Sequence, residues 1–235
     1  MRYLVLATDY DGTLATHGRV NDETVAALAR LRASGRKTML VTGRELNDLL
    51  RVFPQADLFD CIVAENGPLL YWPATGKEQV LGERPPDEFI KALRDRLRHC
   101  PLGNRNVEPL VVGRVIVATW HPHEIAVVEV IRDLGLDLQV IFNKDAVMVL
   151  PSGIDKATGL SAALSELNIS PENVVGVGDA ENDRALLDIC GYGVAVANAL
   201  PMLKERADFV TTGSRGAGVT ELIDKLIASD LRHQY

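Results

Sequence analysis

The stretch Asp9-Tyr10-Asp11-Gly12-Thr13-Leu14 follows directly on a short apolar run, residues 3–8, which we predict to be a buried β-strand. The strand would place the carboxylates of Asp9 and Asp11 at its carboxyl end, where the functional sites of α/β proteins usually lie. Gly12 permits a sharp turn at that point. Two acids this close repel each other unless a cation neutralises them, and a divalent metal ion is the usual solution. The stretch therefore predicts an α/β fold with a metal-assisted site after its first strand.

Composition limits the kinds of partner that this chain is expected to have. The 235 residues are 47% hydrophobic and 24% charged, which is ordinary for a globular enzyme. The net charge of −7 argues against a nucleic-acid partner held by bulk charge. No apolar run approaches the roughly 18 residues that a membrane span needs, so we expect no membrane partner. The three cysteines, Cys61, Cys100 and Cys190, lie far apart and suggest neither a disulfide framework nor a zinc site. We expect a cytoplasmic protein that is a monomer or a homodimer.

Strand and helix patterns alternate at both ends of the chain but not in its middle. Strands predicted at 3–8, 37–42 and 61–65 are separated by helical patterns, and a small hairpin follows at 69–81. A linker-like Gly-Glu-Arg-Pro-Pro then begins at Gly82, and the alternation resumes only after residue 150. This order predicts a Rossmann-like parallel-sheet core, residues 1–82 and 151–235, interrupted by an inserted α+β domain, residues 83–150.

Four polar clusters fall at the ends of predicted strands or at the start of a helix. They are Asp9-x-Asp11-Gly12-Thr13, Thr42-Gly43-Arg44, Lys156, and Gly178-Asp179-Ala180-Glu181-Asn182-Asp183. Together they supply carboxylates, a lysine, an arginine and hydroxyl groups. This is the inventory that phosphoryl transfer needs: a metal held by acids, a nucleophile, and cations that take up charge on the transferred oxygens.

In their order and spacing the clusters resemble the motifs of the haloacid dehalogenase superfamily of phosphatases. The closest likeness is to its Cof-type, or class IIB, branch, which carries a large cap domain inserted after the third strand. The resemblance covers essentially the whole chain. It implies a Mg²⁺-dependent phosphatase that hydrolyses a phosphomonoester through an aspartyl-phosphate. The insertion in this chain, residues 83–150, is small for such a cap. It implies a small phosphorylated metabolite as substrate, such as a sugar phosphate or a phosphoglycolate-like compound.

The resemblance also implies a role for each residue that matches a family motif. Asp9 would be the nucleophile, and Asp11 would be the general acid that later acts as base. The metal ligands would be Asp9, the backbone carbonyl of Asp11, Asp179 and Asp183. The residues that bind phosphate or substrate would be Thr13, Thr42, Gly43, Arg44, Asn66, Lys156 and Asn182.

Several of these residues have a second interpretation. Arg44 could be an ion-pair partner, and Lys156 could be an ordinary helix-start lysine, although the helix dipole disfavours a cation there. His121 and His123 have no acid arranged around them, which favours a loop or a helix cap over a metal site. Within the insertion, the candidate substrate contacts are Arg105, Arg114, Asn143 and Lys144.

Two other functions use the same motifs. A phosphomutase or phosphotransferase would pass the phosphoryl group from the aspartyl-phosphate to a sugar hydroxyl in place of water. A non-catalytic sensor of a phosphate ligand would have no need of a nucleophile beside an acid, so Asp9 and Asp11 argue against it.

Overall fold

The computed structural model describes residues 1–98 and 109–231. Within them, the chain builds one sheet of eight strands and one sheet of four strands. In chain order the elements are β1 (Val5–Thr8), α1 (Asp22–Ala33), β2 (Lys37–Val41), α2 (Leu46–Val52), β3 (Cys61–Ala64), β4 (Leu69–Trp72), β5 (Lys77–Val80), α3 (Asp87–Arg98), β6 (Val111–Val112), β7 (Val117–Trp120), α4 (Glu124–Asp133), β8 (Leu138–Asn143), β9 (Ala146–Pro151), α5 (Lys156–Glu166), β10 (Val174–Gly178), α6 (Arg184–Ile189), β11 (Tyr192–Ala195), α7 (Pro201–Lys204), β12 (Phe209–Val210) and α8 (Gly216–Ser229).

The larger sheet has the strand order β12-β11-β10-β1-β2-β3-β4-β5. Its first six strands run parallel, and β4 and β5 form an antiparallel hairpin at one edge. Strands β1, β2, β3 and β10 are apolar and almost entirely buried, as expected for parallel strands with helices on both faces. Because β1 lies between β10 and β2, the residues that follow these three strands lie together at the carboxyl ends of the parallel strands.

The smaller sheet is antiparallel, with the order β6-β7-β9-β8, and its two faces have different partners. Along β9, Val147 and Val149 pack with α3 and α4, through side chains such as Phe89 and Val127. Met148 and Leu150 belong to a separate cluster on the other face, as the two-residue period of a strand requires. The predicted fold class, a parallel α/β core with an inserted α+β module, is confirmed.

The chain leaves for the smaller sheet and returns from it at one place. Gly82 follows β5, and Pro151 ends β9. A Cβ atom added to Gly82 would overlap Cδ1 of Ile154 and would lie 3.5 Å from Cγ of Pro151. The two connecting segments are therefore packed directly against each other.

The helices begin largely where their capping residues predict. The side chain of Asn21 accepts a hydrogen bond of 2.8 Å from the backbone N–H of Thr24 at the start of α1. His123 occupies the N-cap position of α4, and its ring contacts the hydroxyl of Thr119 at 2.8 Å. The helix expected at 181–189 begins instead as a 3₁₀ turn, Glu181–Asp183. The two-residue strand β12 has no counterpart among the predicted elements, because its length is too short to show a pattern.

Gly159 lets α5 pack closely against the segment that follows β3. A Cβ atom at this position would overlap the backbone carbonyl oxygen of Gly67. We expect Gly159→Ala to lower the free energy of unfolding by about 1–2 kcal/mol, because overpacking outweighs the better helix propensity of alanine. Urea denaturation measures the change. Ser165→Ala, at an exposed site on the same helix, is the control and should shift stability by less than about 0.5 kcal/mol. An unchanged midpoint for Gly159→Ala would contradict the proposed close packing.

Candidate active site

A buried ammonium group joins three segments of the chain at the carboxyl ends of the parallel strands in the larger sheet. The Nζ atom of Lys156 lies 2.6 Å from Oδ1 of Asp9 and 2.6 Å from Oδ1 of Asp183. The side chain of Lys156 is fully buried. Asp9 follows β1 and is 4% exposed, and its backbone N–H donates to the carbonyl oxygen of Val177 in β10. The nucleophile predicted from the sequence therefore lies in direct contact with the predicted lysine.

Lys156 owes its position to the start of α5. Asp155 is the N-cap and accepts a hydrogen bond of 2.9 Å from the backbone N–H of Thr158, which fixes where the helix begins. Burial by itself would lower the pKa of Lys156, but the charges of Asp183 and Asp9 raise that pKa above its usual range. The lysine is thus a charged group at a helix N-terminus, where its two carboxylate partners offset an unfavourable helix dipole.

The three buried acids carry more negative charge than the lysine can neutralise. Burial, followed by the charge of Asp183, raises the pKa of Asp9 to about 7, although Lys156 opposes the shift. Burial also raises the pKa of Asp179, against the opposing effect of Lys144. Carboxylate oxygens of Asp9, Asp179 and Asp183 lie within 4.8 Å of one another. A cluster of hard oxygen donors with this charge is suited to a divalent cation such as Mg²⁺.

Asp183 accepts three hydrogen bonds through its two carboxylate oxygens. Its Oδ1 accepts from Lys156, and its Oδ2 accepts from the backbone N–H groups of Asp179 and Ala180 at 2.8 and 3.0 Å. These bonds hold the 3₁₀ turn that replaces the first turn of the expected helix. Asp183 thereby orients Asp179 in the acid cluster.

Asp11 is held by a two-pronged ion pair with Arg44. The Nε and Nη2 atoms of Arg44 lie 2.6 and 2.8 Å from the two carboxylate oxygens of Asp11. A third guanidinium nitrogen of Arg44 donates to Asp48, and the guanidinium lies 5.5 Å from the centre of the Tyr10 ring. The hydrogen bonds that Arg44 donates to Asp11, together with the charges of Asp11 and Asp48, raise the pKa of Arg44 against the opposing effect of burial. Arg44 is thus an ion-pair partner of Asp11, and its substrate role stays a prediction.

The remaining predicted phosphate-binding residues lie around the same strand ends. The hydroxyl of Thr42 accepts a hydrogen bond of 3.1 Å from the backbone N–H of Arg44, beside Gly43. Asn182 donates to the side-chain oxygen of Asn66 at 2.9 Å. The remaining amide atoms of this pair, Nδ2 of Asn66 and Oδ1 of Asn182, are buried without a hydrogen-bond partner among the described residues. Thr13 is placed differently, since its hydroxyl donates to Oδ1 of Asp179 at 3.3 Å.

A cavity of about 470 Å³ separates these strand ends from the smaller sheet. Its floor includes Asp9, Asp11 and Gly43, and its opposite wall includes Trp120 and Met148. Two acids from the start of α2 and the loop before it, Glu45 and Asp48, add to the negative lining.

The four candidate contacts from the insertion have different positions. Asn143 lines the cavity, and its buried Oδ1 atom has no partner among the described residues. Lys144, at the tip of the β8–β9 hairpin, places its Nζ 2.7 Å from Oδ2 of Asp179, a candidate metal ligand. Arg114 pairs with Glu78 and is not among the residues that line the cavity. Arg105 lies outside the described residues.

Sequence reasoning missed three residues that contact the site. Asp48 holds Arg44, and Asn198 donates to the carbonyl oxygen of Gly12 at 2.9 Å. Glu65 is a fully buried acid beside Asn66. The signal for Asn198 and Glu65 was available, because each is a polar residue shortly after the end of a core strand. Asp48 has only its four-residue spacing from Arg44 as a signal.

No helix in the described part of the chain is both long and apolar enough to cross a membrane.

Comparison with known proteins identifies the family. A family model described as haloacid dehalogenase-like hydrolase matches residues 6–98 and 126–223. The protein is 31% identical to phosphoglycolate phosphatase 2 of Saccharolobus solfataricus, over 97% of this chain and 94% of that protein. It is 32% identical to the phosphoglycolate phosphatase of Haloarcula marismortui, over 93% of this chain and 95% of that protein.

Solved structures agree with the fold. A sugar phosphatase of haloacid dehalogenase subclass IIB superposes with a TM-score of 0.71 at 21% identity, covering 94% of this chain and 98% of the other. The predicted phosphatase class and the predicted Cof-type branch are confirmed by these matches taken together. The chain belongs to the haloacid dehalogenase-like hydrolase family.

Proposed function

We propose that the protein is a Mg²⁺-dependent phosphomonoesterase that hydrolyses a small phosphorylated metabolite through an aspartyl-phosphate on Asp9. The observation that carries the proposal is the setting of Asp9. One of its oxygens accepts from the buried Lys156, the residue borders the cavity, and Asp179 lies beside it. A carboxylate held by one oxygen can present the other to an incoming phosphorus atom.

The reaction has two steps that share these residues. In the first, a carboxylate oxygen of Asp9 bonds to phosphorus, the bond to the leaving oxygen breaks, and Asp11 gives that oxygen a proton. In the second, water attacks the phosphorus of the aspartyl-phosphate, and Asp11 takes up its proton. Inorganic phosphate then leaves, and the carboxylate of Asp9 is restored. Both steps place new charge on phosphoryl oxygens, which the ammonium of Lys156 is close enough to stabilise.

Mg²⁺ would be held by Asp9, Asp179 and the backbone carbonyl of Asp11, with Asp183 orienting the set. When bound, the ion would neutralise charge on the phosphoryl oxygens and on the acids. On the other side of Asp9, the phosphate would be bound by Thr42, Gly43 and the Asn66–Asn182 pair. The unpartnered Nδ2 of Asn66 supports this role, because it is a donor and buried polar groups are normally hydrogen-bonded.

Residues 83–150 would form a cap that closes over the site and selects the leaving group. The cavity wall contributed by Trp120, Asn143 and Met148 supports this division of the chain. A cavity of about 470 Å³ is suited to a small metabolite. The relatives named phosphoglycolate phosphatase and the similar sugar phosphatase point to a phosphoglycolate-like compound or a sugar phosphate as substrate.

Substitution of the nucleophile tests the proposal directly. We expect Asp9→Asn to reduce phosphate release from a panel of phosphomonoesters by at least about a thousandfold, because the amide cannot form the aspartyl-phosphate. Chelation of divalent cations should abolish release by the wild-type protein. The control Asp57→Asn, an exposed acid away from the cavity, should retain full activity. Metal-dependent release that survives in Asp9→Asn would rule out the assigned nucleophile.

The raised pKa of Asp9 predicts how stability depends on pH. An acid whose pKa is raised to about 7 keeps its proton in the folded protein where the unfolded chain has already lost it. Its contribution to stability therefore declines as pH rises from about 4 towards 7. A cation that binds the ionised acids should reverse this loss. We expect Mg²⁺ to raise the Tm, measured by calorimetry, by more at pH 8 than at pH 5. Equal shifts at the two pH values would contradict the proposal.

Arg44 is expected to position Asp11. Among the described residues, it is the only side chain that bonds the carboxylate of Asp11. We expect Arg44→Met to lower kcat by about ten- to a hundredfold, because the ionised Asp11 loses the orientation in which it takes up a proton from the attacking water. Arg51 pairs with the same Asp48 but does not reach Asp11, so Arg51→Met should change kcat less than about threefold. Equal effects of the two substitutions would refute the positioning role.

A further inference from the structure

Glu65 is a fully buried carboxylate at the junction of the two sheets. It follows β3 in the core and has no exposed surface. Its backbone has a φ of 58°, in the left-handed region that residues other than glycine rarely adopt. A buried charge and an unfavourable backbone conformation at one residue persist only where surrounding contacts hold them.

Those contacts come from the segment that leads into β7. Oε1 of Glu65 accepts from the backbone N–H of Arg114 at 2.9 Å. Oε2 accepts from the N–H groups of Val115 and Ile116 at 2.8 and 2.9 Å. Hydrogen bonds donated to an ionised acceptor are stronger than those between neutral groups, and burial strengthens them further. One side chain of the core thus accepts hydrogen bonds from three consecutive backbone N–H groups in the loop between β6 and β7.

The segment is shaped to receive this carboxylate. A Cβ atom on Gly113 would lie 2.6 Å from Oε1 of Glu65, so a larger residue there would displace the acid. The side chain of Arg114 also reaches Glu78 and Glu45, at 2.7 and 3.4 Å. The Glu78 pair is partly exposed and is expected to contribute less than the buried bonds to Glu65.

Glu65 is connected to the candidate active site both through the segment that it holds and through the next residue in the chain. The segment it holds continues into β7, whose Thr119 and Trp120 line the cavity opposite Asp9. The residue after Glu65 is Asn66, which bonds Asn182 on the phosphate side. A shift at Glu65 would therefore change the spacing between the cavity wall and the nucleophile.

We propose that Glu65 is a positioning residue that fixes β7 at a set distance from Asp9 and thereby governs which leaving group the site accepts. It contacts no reacting atom and acts through the cavity wall. The inference rests on the proposed phosphatase function. The inference predicts that replacing Glu65 lowers kcat/KM for some substrates and not for others. Only a leaving group large enough to touch the cavity wall is affected by the position of β7.

Glu65→Gln is the first test, because it keeps the volume but replaces one acceptor oxygen with a donor. The probes are ribose 5-phosphate, glucose 6-phosphate and acetyl phosphate, the last with a small leaving group that departs without help from the wall. For the better of the first two, we expect kcat/KM to fall about tenfold or more, chiefly through KM. For acetyl phosphate we expect a change below about threefold. Equal losses on all substrates, or no loss on any, would overturn the inference.

Two further variants make the test specific. Glu78→Gln removes the exposed partner of the same Arg114 and should leave every substrate within about threefold of wild type. Gly113→Ala leaves Glu65 unchanged but pushes the segment away from it, and should reproduce the substrate-dependent loss even if Glu65→Gln fails to fold. Uniform behaviour of Gly113→Ala across the probes would also overturn the inference. Metal-dependent hydrolysis of acetyl phosphate that is lost in Asp9→Asn tests the underlying phosphatase function separately.

Discussion

The ammonium of Lys156, buried between the carboxylates of Asp9 and Asp183, is the interaction on which the site depends. A charge removed from water is tolerated only when it is paired and hydrogen-bonded, and each of these three groups relies on the other two. Because the partners come from β1, from the turn after β10 and from the start of α5, their pairing brings three distant segments to one point. Loss of the lysine would leave two buried acids without compensation.

This arrangement also determines the electrostatic character of the cavity. Lys156 and the backbone donors of the 3₁₀ turn bond to both oxygens of Asp183. Asp9 and Asp179 retain an excess of negative charge, which the half-exposed Lys144 offsets only in part. A divalent cation would complete the balance, and an anionic phosphate ester could then approach a surface that otherwise repels it. The acids that favour a metal ion and the cation that favours a phosphate are therefore parts of one cluster.

The sequence was sufficient for those features that depend on local pattern. Apolar runs that end in acids predicted the strands and their functional edge, since the carboxyl ends of parallel strands must meet. Side-chain partners that are far apart in the sequence could not be predicted. No residue near Arg44 indicates that it bonds Asp11, and no residue near Lys144 indicates that it bonds Asp179. The 3₁₀ turn at Glu181–Asp183 was missed because the side chain of Asp183 accepts hydrogen bonds from the backbone N–H groups of Asp179 and Ala180, which overrides the helical pattern.

The contact between Gly82 and the segment at Pro151 and Ile154 has a consequence for how such a protein can diversify. The intervening chain departs from the core and rejoins it at the same place, so the core closes in the same way whatever the length of that excursion. A longer, shorter or differently folded module could be exchanged at this junction without moving the strand ends that carry the acids. The acids after the core strands and the opposite wall of the cavity could therefore evolve on separate parts of one chain.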